Sequence, residues 1–394
     1  MPIYLDHAAT SPMPADVLSV YIDALSLVGN PASIHSQGQN AKRMLEEARE
    51  RVAASLGADS VEVTFTGGGT EAVNLAIKGL YWARNVGGAR PRILVPEGEH
   101  HATVDAIEWL EQHEGAIIDW IPLDELGRID LAVLAAKLDD DVALVTALWA
   151  NNEVGTIQPV QKIAALAAEH GVPVHLDAIA AYGYLPIDFH AVGVAALSVS
   201  AHKIGGPVGE GALLIARSAT VVPLLHGGNQ QRARSGTQDA AGAVAFGFAA
   251  ARATADLAGQ AAGLQRVRDR LVSGIREAVP TAVYRGDPSP AGRLPGNAHF
   301  TFPGCEGDSL LFLLDVAGFS VSTGSACQAG VPEASHVLTA MGLSEADARG
   351  ALRFTLGHDT TDAEVDALVA ALPAAVASAS RAGLSDRETT LGRS

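Results

Sequence analysis

Cysteine is scarce in this chain, with only Cys305 and Cys327 among 394 residues. Two cysteines cannot form the disulfide framework of a small secreted protein, so a reducing compartment, the cytoplasm, is expected. The N-terminus lacks a basic stretch followed by an apolar one, and no signal peptide is predicted. Apolar runs such as residues 142–150 are far shorter than the roughly 20 residues that span a bilayer, so we expect a soluble protein.

Positive charge is also in short supply. The 27 Lys and Arg residues are outnumbered by 44 Asp and Glu residues, which gives a formal net charge of −17. An acidic chain repels nucleic acid and anionic membranes, and neither is expected as a general partner. The hydrophobic share of 48% over this length is enough for one large domain and a smaller one.

Short apolar runs alternate with amphipathic stretches through the first two thirds of the chain. Such alternation predicts an α/β domain with a mostly parallel sheet flanked by helices. The predicted strands are residues 61–65, 93–95, 117–121, 142–149, 174–176, 196–199 and 212–215. The pattern changes near residue 254, where a long helical segment leads into a region rich in Pro and Gly. We therefore predict a large domain over residues 16–255, a smaller α+β domain over 1–15 and 256–383, and a disordered tail over 384–394.

Several polar residues follow the predicted strands closely: Thr70, His100, Asn152, Asp177 and Lys203. Functional sites of such folds lie in the loops at the carboxyl ends of the strands. Lys203 ends the string Ser198-Val-Ser-Ala-His-Lys, where a buried lysine is costly unless it is paired or used. Such a lysine can form a Schiff base with an aldehyde. A surface lysine at a strand end is the alternative.

Asp177 and a glycine loop point to a cofactor. A carboxylate can keep the pyridine nitrogen of pyridoxal phosphate (PLP) protonated, although Asp at a strand end is otherwise often a helix cap. Thr66-Gly-Gly-Gly-Thr70 lies between a strand and a helix, where backbone amides bind phosphate. The same loop fits a dinucleotide motif, but the acidic residue that this motif needs, Glu97, comes later than expected. A plain glycine turn is a third possibility.

Cys327 lies in the small-residue string Ser322-Thr-Gly-Ser-Ala-Cys-Gln-Ala-Gly330. An accessible cysteine near cationic groups becomes a thiolate and a nucleophile, whereas a free cysteine is more often a small buried residue. Cys305 lacks a comparable setting, and we interpret it as structural.

Together these strings resemble the cysteine desulfurases of the class V aminotransferase family, which have the type I PLP-transferase fold. The resemblance runs from Tyr4-Leu-Asp-His-Ala-Ala-Thr10 to Leu352-Arg-Phe-Thr-Leu-Gly357, and the Cys327 string is similar to that of the iron–sulfur-cluster type, particularly in actinobacteria. Further matches are Asn30-Pro-Ala-Ser-Ile-His35, Glu99-His100, Asn151 to Pro159, Ser200-Ala-His-Lys203, Arg234-Ser-Gly-Thr237 and Ser335-His-Val-Leu338.

The resemblance implies a role for each matching residue. Lys203 would bind PLP covalently and move the Cα proton of the substrate, and Asp177 would pair with the pyridine nitrogen. His100 would stack on the ring and transfer protons.

The phosphate ligands would be Gly69, Thr70, Ser200 and His202, with Thr237 reaching the phosphate of the partner in a homodimer. Asn152 would contact cofactor and substrate, Arg353 would hold the substrate carboxylate, and no metal site is expected.

The implied reaction converts L-cysteine to L-alanine and leaves the sulfur as a persulfide on Cys327, from which an acceptor protein, such as an iron–sulfur scaffold, would take it.

Two departures weaken the match. Ala180 stands where the family usually has Gln, and the stretch from Gly227 to Thr237 is one residue shorter and lacks a Glu. Other hypotheses are a related PLP lyase, such as a selenocysteine lyase, an aminotransferase, a weakened paralogue that only binds PLP, and a dinucleotide oxidoreductase.

Overall fold

A seven-stranded sheet forms the centre of the molecule. The computed structural model describes residues 2–324 and 334–385. The sheet has the strand order β2-β8-β7-β6-β5-β3-β4, and all neighbours are parallel except those of β8, which runs antiparallel to both β2 and β7. Its strands are β2 (Val63–Thr66), β3 (Arg92–Pro96), β4 (Ile117–Ile121), β5 (Val142–Leu148), β6 (Val174–Asp177), β7 (Ala196–Ser200) and β8 (Gly211–Ile215).

The mostly parallel sheet confirms the predicted α/β fold. All seven residues of β5 are buried, as expected of a parallel strand covered on both faces. One predicted boundary was wrong, because β2 begins at Val63 rather than at residue 61. Ser60–Glu62 instead form a 3₁₀ turn, which the Asp59 and Glu62 side chains stabilise as a capping box.

Thirteen helices are present in the described part of the chain. The helix predicted from the apolar positions 41 to 56 is α2, and Gly57 follows its end with a φ of 61°. The helices are α1 (Ala15–Leu25), α2 (Ser36–Ser55), α3 (Gly69–Arg84), α4 (His101–Glu114), α5 (Leu131–Lys137), α6 (Val160–Glu169), α7 (Phe189–Val192), α8 (Ala240–Thr254), α9 (Leu257–Ala278), α10 (Gly307–Val316), α11 (His336–Ala340), α12 (Glu345–Arg349) and α13 (Asp362–Ser385).

Two small sheets lie apart from the large one, and most of their strands follow α9 in the chain. One contains β12 (Ala351–Thr355), β10 (Asn297–Thr301) and β9 (Val283–Tyr284), which are antiparallel. The other pairs β1 (Ile3–Tyr4) with β11 (Phe319–Ser320). The N-terminal segment therefore joins the C-terminal part of the chain.

Separate hydrophobic cores support the division that we propose, with residues 16–255 in one domain and 1–15 with 256–383 in the other. One large core surrounds the seven-stranded sheet. A second core contains Leu5, Phe300, Phe354 and Leu368. Cys305 is buried in this second core, with its Sγ 3.1 Å from Ser380 Oγ, which agrees with a structural role.

The last helix is unusually long and apolar. By length and composition alone, residues 362–381 could cross a membrane. In the structure, however, Val365, Leu368 and Leu372 are completely buried in the second core, so one face of this helix packs against that core. α13 continues to Ser385, so the first two residues of the predicted tail are helical, and residues 386–394 lie outside the described residues.

Candidate functional site

A cavity of about 390 Å³ opens where the parallel strands end, facing the segment from β1 to α1 and strand β12 of the three-stranded sheet. This volume lies in the usual range of small-molecule sites. Most of the residues predicted for the site line it together: Gly69, Thr70, His100, Asn152, Asp177, Ser200, His202, Lys203 and Arg353. They come from six separate segments of the chain, and the topology of the sheet brings them to one place.

Lys203 follows β7 in a short 3₁₀ turn, and its side chain extends into the cavity. Its Nζ donates hydrogen bonds to the carbonyl oxygens of Ala8 and Ala9 in the N-terminal segment. Burial, helped by the positive charge of Arg353, lowers the pKa of the Lys203 amine to about 8. About a tenth of the amine is therefore neutral, and nucleophilic, at pH 7.

Asp177 is the last residue of β6 and is only 2% exposed. Burial raises the pKa of its carboxyl to about 6, against the opposing effects of the Ile179 backbone N–H and the Lys203 charge. The Ile179 N–H donates to Asp177 Oδ1 at 2.9 Å. At neutral pH the cavity therefore holds a carboxylate that is ready to accept an N–H from a ligand.

His100 caps the N-terminus of α4, where its Nδ1 accepts a hydrogen bond of 3.0 Å from the Ala102 N–H. This bond assigns the remaining ring proton to Nε2. The side chain is exposed within the open cavity, but the surrounding protein, together with the nearby charge of Lys203, lowers its pKa to about 4. His100 is therefore a neutral imidazole at physiological pH.

The N-terminus of α3 forms one end of the cavity. Its cap residue Gly68 has a φ of 122°, which favours glycine. A Cβ on Gly69 would lie 2.4 Å from Ile179 Cδ1, so a larger residue there would require the Ile179 side chain to move. The free amides of α3 and the hydroxyls of Thr70 and Ser200 are hydrogen-bond donors for an anion at this end.

Arg353 lies on β12 and is 5% exposed. Its guanidinium donates to the Asn152 carbonyl oxygen at 3.1 Å and forms an ion pair with Asp6 at 2.8 Å. Its Nε has no hydrogen-bond partner among the described residues. The guanidinium is thus held in a fixed orientation at the edge of the cavity.

Three further positions from the sequence are Thr237, Cys327 and Ala180. Thr237 is exposed and is not among the residues that line the cavity, and its action on the phosphate of a partner stays a prediction. Cys327 lies outside the described residues, although Gly324 and His336 on either side of that segment line the cavity. Ala180 does line the cavity, so the missing Gln leaves a methyl group facing it.

Sequence reasoning gave no role to Glu99, Asp6 or His336. Glu99 lines the cavity directly before His100, and its backbone carbonyl oxygen lies 2.8 Å from His336 Nε2. Asp6 orients Arg353 through their ion pair. Each residue lies inside a string that carried the family resemblance, which was the available signal, but its role depends on contacts between distant parts of the chain.

A possible cation site lies away from this cavity. Asp59, Glu62 and His190 bring ligand atoms within 4.8 Å of one another. All three have protein partners, since Asp59 pairs with Arg217 at 2.6 Å and Glu62 with His190 at 2.7 Å. The expectation that the chain needs no metal stays a prediction.

Comparisons with known proteins identify the family of the chain. The family model of the class-V aminotransferases matches residues 3–368. An IscS-like cysteine desulfurase of Mycobacterium tuberculosis is 51% identical over 97% of this chain and 98% of its own length. The cysteine desulfurase NifS of Azotobacter vinelandii is 37% identical over 95% and 92%, respectively.

Solved structures show the same similarity. A structure described as a NifS-like protein superposes with a TM-score of 0.88 at 32% identity, covering 96% of this chain and all of the other. The chain therefore belongs to the class-V aminotransferase family, among its pyridoxal-phosphate-dependent cysteine desulfurases.

Proposed function

We propose that this cysteine desulfurase binds PLP through Lys203 and transfers sulfur from L-cysteine to Cys327. The observation that carries the proposal is the convergence of Lys203, Asp177, His100 and Arg353 on one cavity. An amine, a buried carboxylate, a neutral imidazole and an oriented guanidinium together suit amino acid chemistry on an aldehyde cofactor.

The residues present fit PLP. The amides of α3, the hydroxyls of Thr70 and Ser200 and the neutral imidazole of His202 can donate to the phosphate. Asp177 can accept the N–H of the pyridine ring. When bound, the cofactor supplies an aldehyde that takes up an amino group and a pyridinium ring that accepts the electron pair released at Cα.

Arg353 is suited to bind the carboxylate of L-cysteine. A guanidinium presents two parallel N–H donors to a carboxylate, and its remaining contacts with Asp6 and the Asn152 carbonyl fix its orientation. Asn152 lies beside it and would contact both substrate and cofactor. Contacts from Arg353 and Asn152 would orient the substrate, so that the bonds to be broken lie next to the catalytic groups.

Lys203 and His100 are the proton carriers of the proposal. Lys203 would take the Cα proton, because its lowered pKa of about 8 makes it an effective base near neutral pH. His100 is neutral and carries its proton on Nε2, from which it can protonate a leaving or product group.

Cys327 would complete the reaction. Its thiolate attacks the sulfur of the substrate, an S–S bond forms as the Cβ–S bond breaks, and the electron pair of that bond is protonated at Cβ to give alanine. Cys327 is three residues after Gly324, which lines the cavity. Three residues of chain span at most about 11 Å.

Mass spectrometry would test the proposal. After exposure to L-cysteine without reductant, Cys327 should gain one sulfur atom, and Cys305 should not. Lys203→Ala should abolish this gain, whereas Lys162→Ala, on the exposed face of α6, should not. Sulfide release that continues in Cys327→Ala would instead favour a lyase, such as a selenocysteine lyase.

A homodimer fits two surface features. One face of α1 exposes Leu18, Ile22 and Leu25, at helical spacing, with exposed fractions of 46%, 58% and 60%. Tyr21 on the same helix lies near Asp239, whose charge contributes to its raised pKa, so this face adjoins the stretch that carries Thr237. A second copy of the chain covering α1 would bring Thr237 toward the partner's cavity.

The sulfur on Cys327 passes to an acceptor. We place the enzyme in the cytoplasm, where its two cysteines stay reduced. A persulfide is passed on by thiol exchange, so the acceptor is a protein with a reactive cysteine, such as an iron–sulfur scaffold.

A further inference from the structure

Glu99 is a buried acid to which the mechanism gives no task. It is 2% exposed and lies between β3 and α4, directly before His100. Its Oε1 accepts a hydrogen bond of 2.8 Å from the Leu148 N–H at the end of β5. Its Oε2 is buried and has no hydrogen-bond partner among the described residues. A carboxylate in this position would have a single donor, which is poor compensation for its burial.

Asp177 is the neighbouring acid, and the negative charge of either carboxylate disfavours ionisation of the other carboxyl. Burial, together with the negative charge of Asp177, raises the pKa of Glu99 well above its usual value. Two close buried carboxyls do not both ionise readily, so one of them retains a proton.

The surroundings decide which carboxyl keeps the proton. Asp177 receives the Ile179 N–H and is stabilised as an anion by the charge of Lys203. Glu99 forms no ion pair with a described residue, and its second oxygen receives no N–H. The titratable and charged groups that line the same cavity are His100, His101, Glu153, Asp177, His202, Lys203, His336 and Arg353. Of these, Asp177 acts on Glu99 through its charge, and it favours the neutral acid.

We propose that Glu99 is a positioning residue that stands in the site as a neutral carboxylic acid, so that the negative charge of the pair resides on Asp177. The carbonyl oxygen of this acid accepts the Leu148 N–H and holds the end of β5 against the start of α4. The proton on Glu99 lets Asp177 remain an anion where the cofactor nitrogen would lie. The benefit to the cofactor rests on the proposed role of Asp177, but the protonation of Glu99 does not.

Proton linkage provides the first test, made on the holoenzyme. A carboxyl whose pKa is raised on folding is protonated in the folded chain and ionised in the unfolded one above about pH 5, so its stabilising effect is lost as pH rises. Unfolding then releases one proton, and the unfolding constant rises about tenfold per pH unit. Glu99→Gln keeps the size and the acceptor but has no proton to release. The ratio of the unfolding constants, wild type to Glu99→Gln, should therefore rise about tenfold per unit between pH 5.5 and 7.

Infrared spectroscopy provides the second test. The difference spectrum of wild type minus Glu99→Gln at pH 7 should contain a carboxylic acid C=O band that shifts in D₂O. Glu210, whose pKa burial raises to about 8, adds a similar band to both proteins and cancels in the difference. If Glu99→Gln does not fold, Glu99→Leu supplies the same difference spectrum.

Glu277→Gln is the matched control, because Glu277 is on the exposed side of α9. It should give a constant ratio of unfolding constants and no acid band in the difference spectrum. A constant ratio for Glu99→Gln, or the absence of the band, would overturn the proposal. Neither readout uses desulfurase activity, so failure of the proposed function would be seen separately, as a lack of alanine and sulfide.

Discussion

Lys203 differs from an ordinary lysine because its amine is enclosed in a cavity beside another cation. Both burial and Arg353 disfavour its charged form, and its pKa falls to about 8. The neutral amine is the form that reacts with an aldehyde. The reactivity of this residue should therefore depend on pH within the physiological range.

Uptake of PLP by the apoprotein tests this dependence. Below about pH 8 the neutral fraction of the Lys203 amine rises tenfold per pH unit, so the rate at which the cofactor absorption band appears should rise about tenfold from pH 6 to pH 7. Lys162→Ala should follow the same curve, and Lys203→Ala should show no band. A rate that is independent of pH would contradict the lowered pKa.

Arg353→Lys tests the substrate clamp. Lysine keeps the charge but cannot present two parallel donors to a carboxylate. We expect KM for L-cysteine to rise about tenfold, equivalent to about 1.4 kcal/mol, with a smaller change in kcat. Steady-state kinetics measure the difference, with Arg349→Lys on the exposed end of α12 as the control. An unchanged KM would remove Arg353 from substrate binding.

At the residue scale the sequence predicted groups that follow strands and missed those that act through distant contacts. Lys203, Asp177 and His100 each end or follow an apolar run, and they were found by that pattern together with the family resemblance. Asp6 and Glu99 were not given roles, because their effects come from Arg353, 347 residues away, and from Leu148, 49 residues away. No local pattern encodes such pairs.

At the element scale, strand ends position the chemistry. β6 ends in Asp177, β7 is followed by Lys203, and α3 begins with Gly69, so the adjacent strand ends set the spacing of the site. All seven strands of the large sheet were predicted because buried strands form distinct apolar runs. The short strands β1 and β11, of two residues each, were not, since nothing but their mutual pairing defines them.

The exposed face of α1 leads to a prediction about association. Ile22→Asp places a charge in the proposed contact and should shift the homodimer toward monomer in sedimentation velocity experiments. Because Thr237 would act across this contact, the affinity for the cofactor should fall when dimerisation is lost. Val86→Asp changes a residue that is 75% exposed outside α1 and serves as the control. A dimer that resists Ile22→Asp would place the interface elsewhere.

At the scale of the whole molecule, the site lies between two hydrophobic cores. The sheet supplies the lysine, the carboxylate and the anion-binding helix, and β12 of the C-terminal part supplies Arg353. The N-terminal segment pairs through β1 with β11 and reaches Lys203 through the carbonyls of Ala8 and Ala9. From the sequence we predicted only that residues 1–15 belong to the C-terminal domain. The pairing of β1 with β11 was not predicted, because pairing between distant residues produces no local sequence pattern.

The most direct test of the central claim combines an absorption spectrum with product analysis of the purified protein supplied with L-cysteine. The wild type should show a PLP band and form alanine and sulfide in equal amounts when a reductant is present. Lys203→Ala should lose the band and both products, whereas Cys327→Ala should keep the band and lose sulfide release. A wild type that shows no band after PLP is added, or a Cys327→Ala variant that releases sulfide at the wild-type rate, would contradict the account.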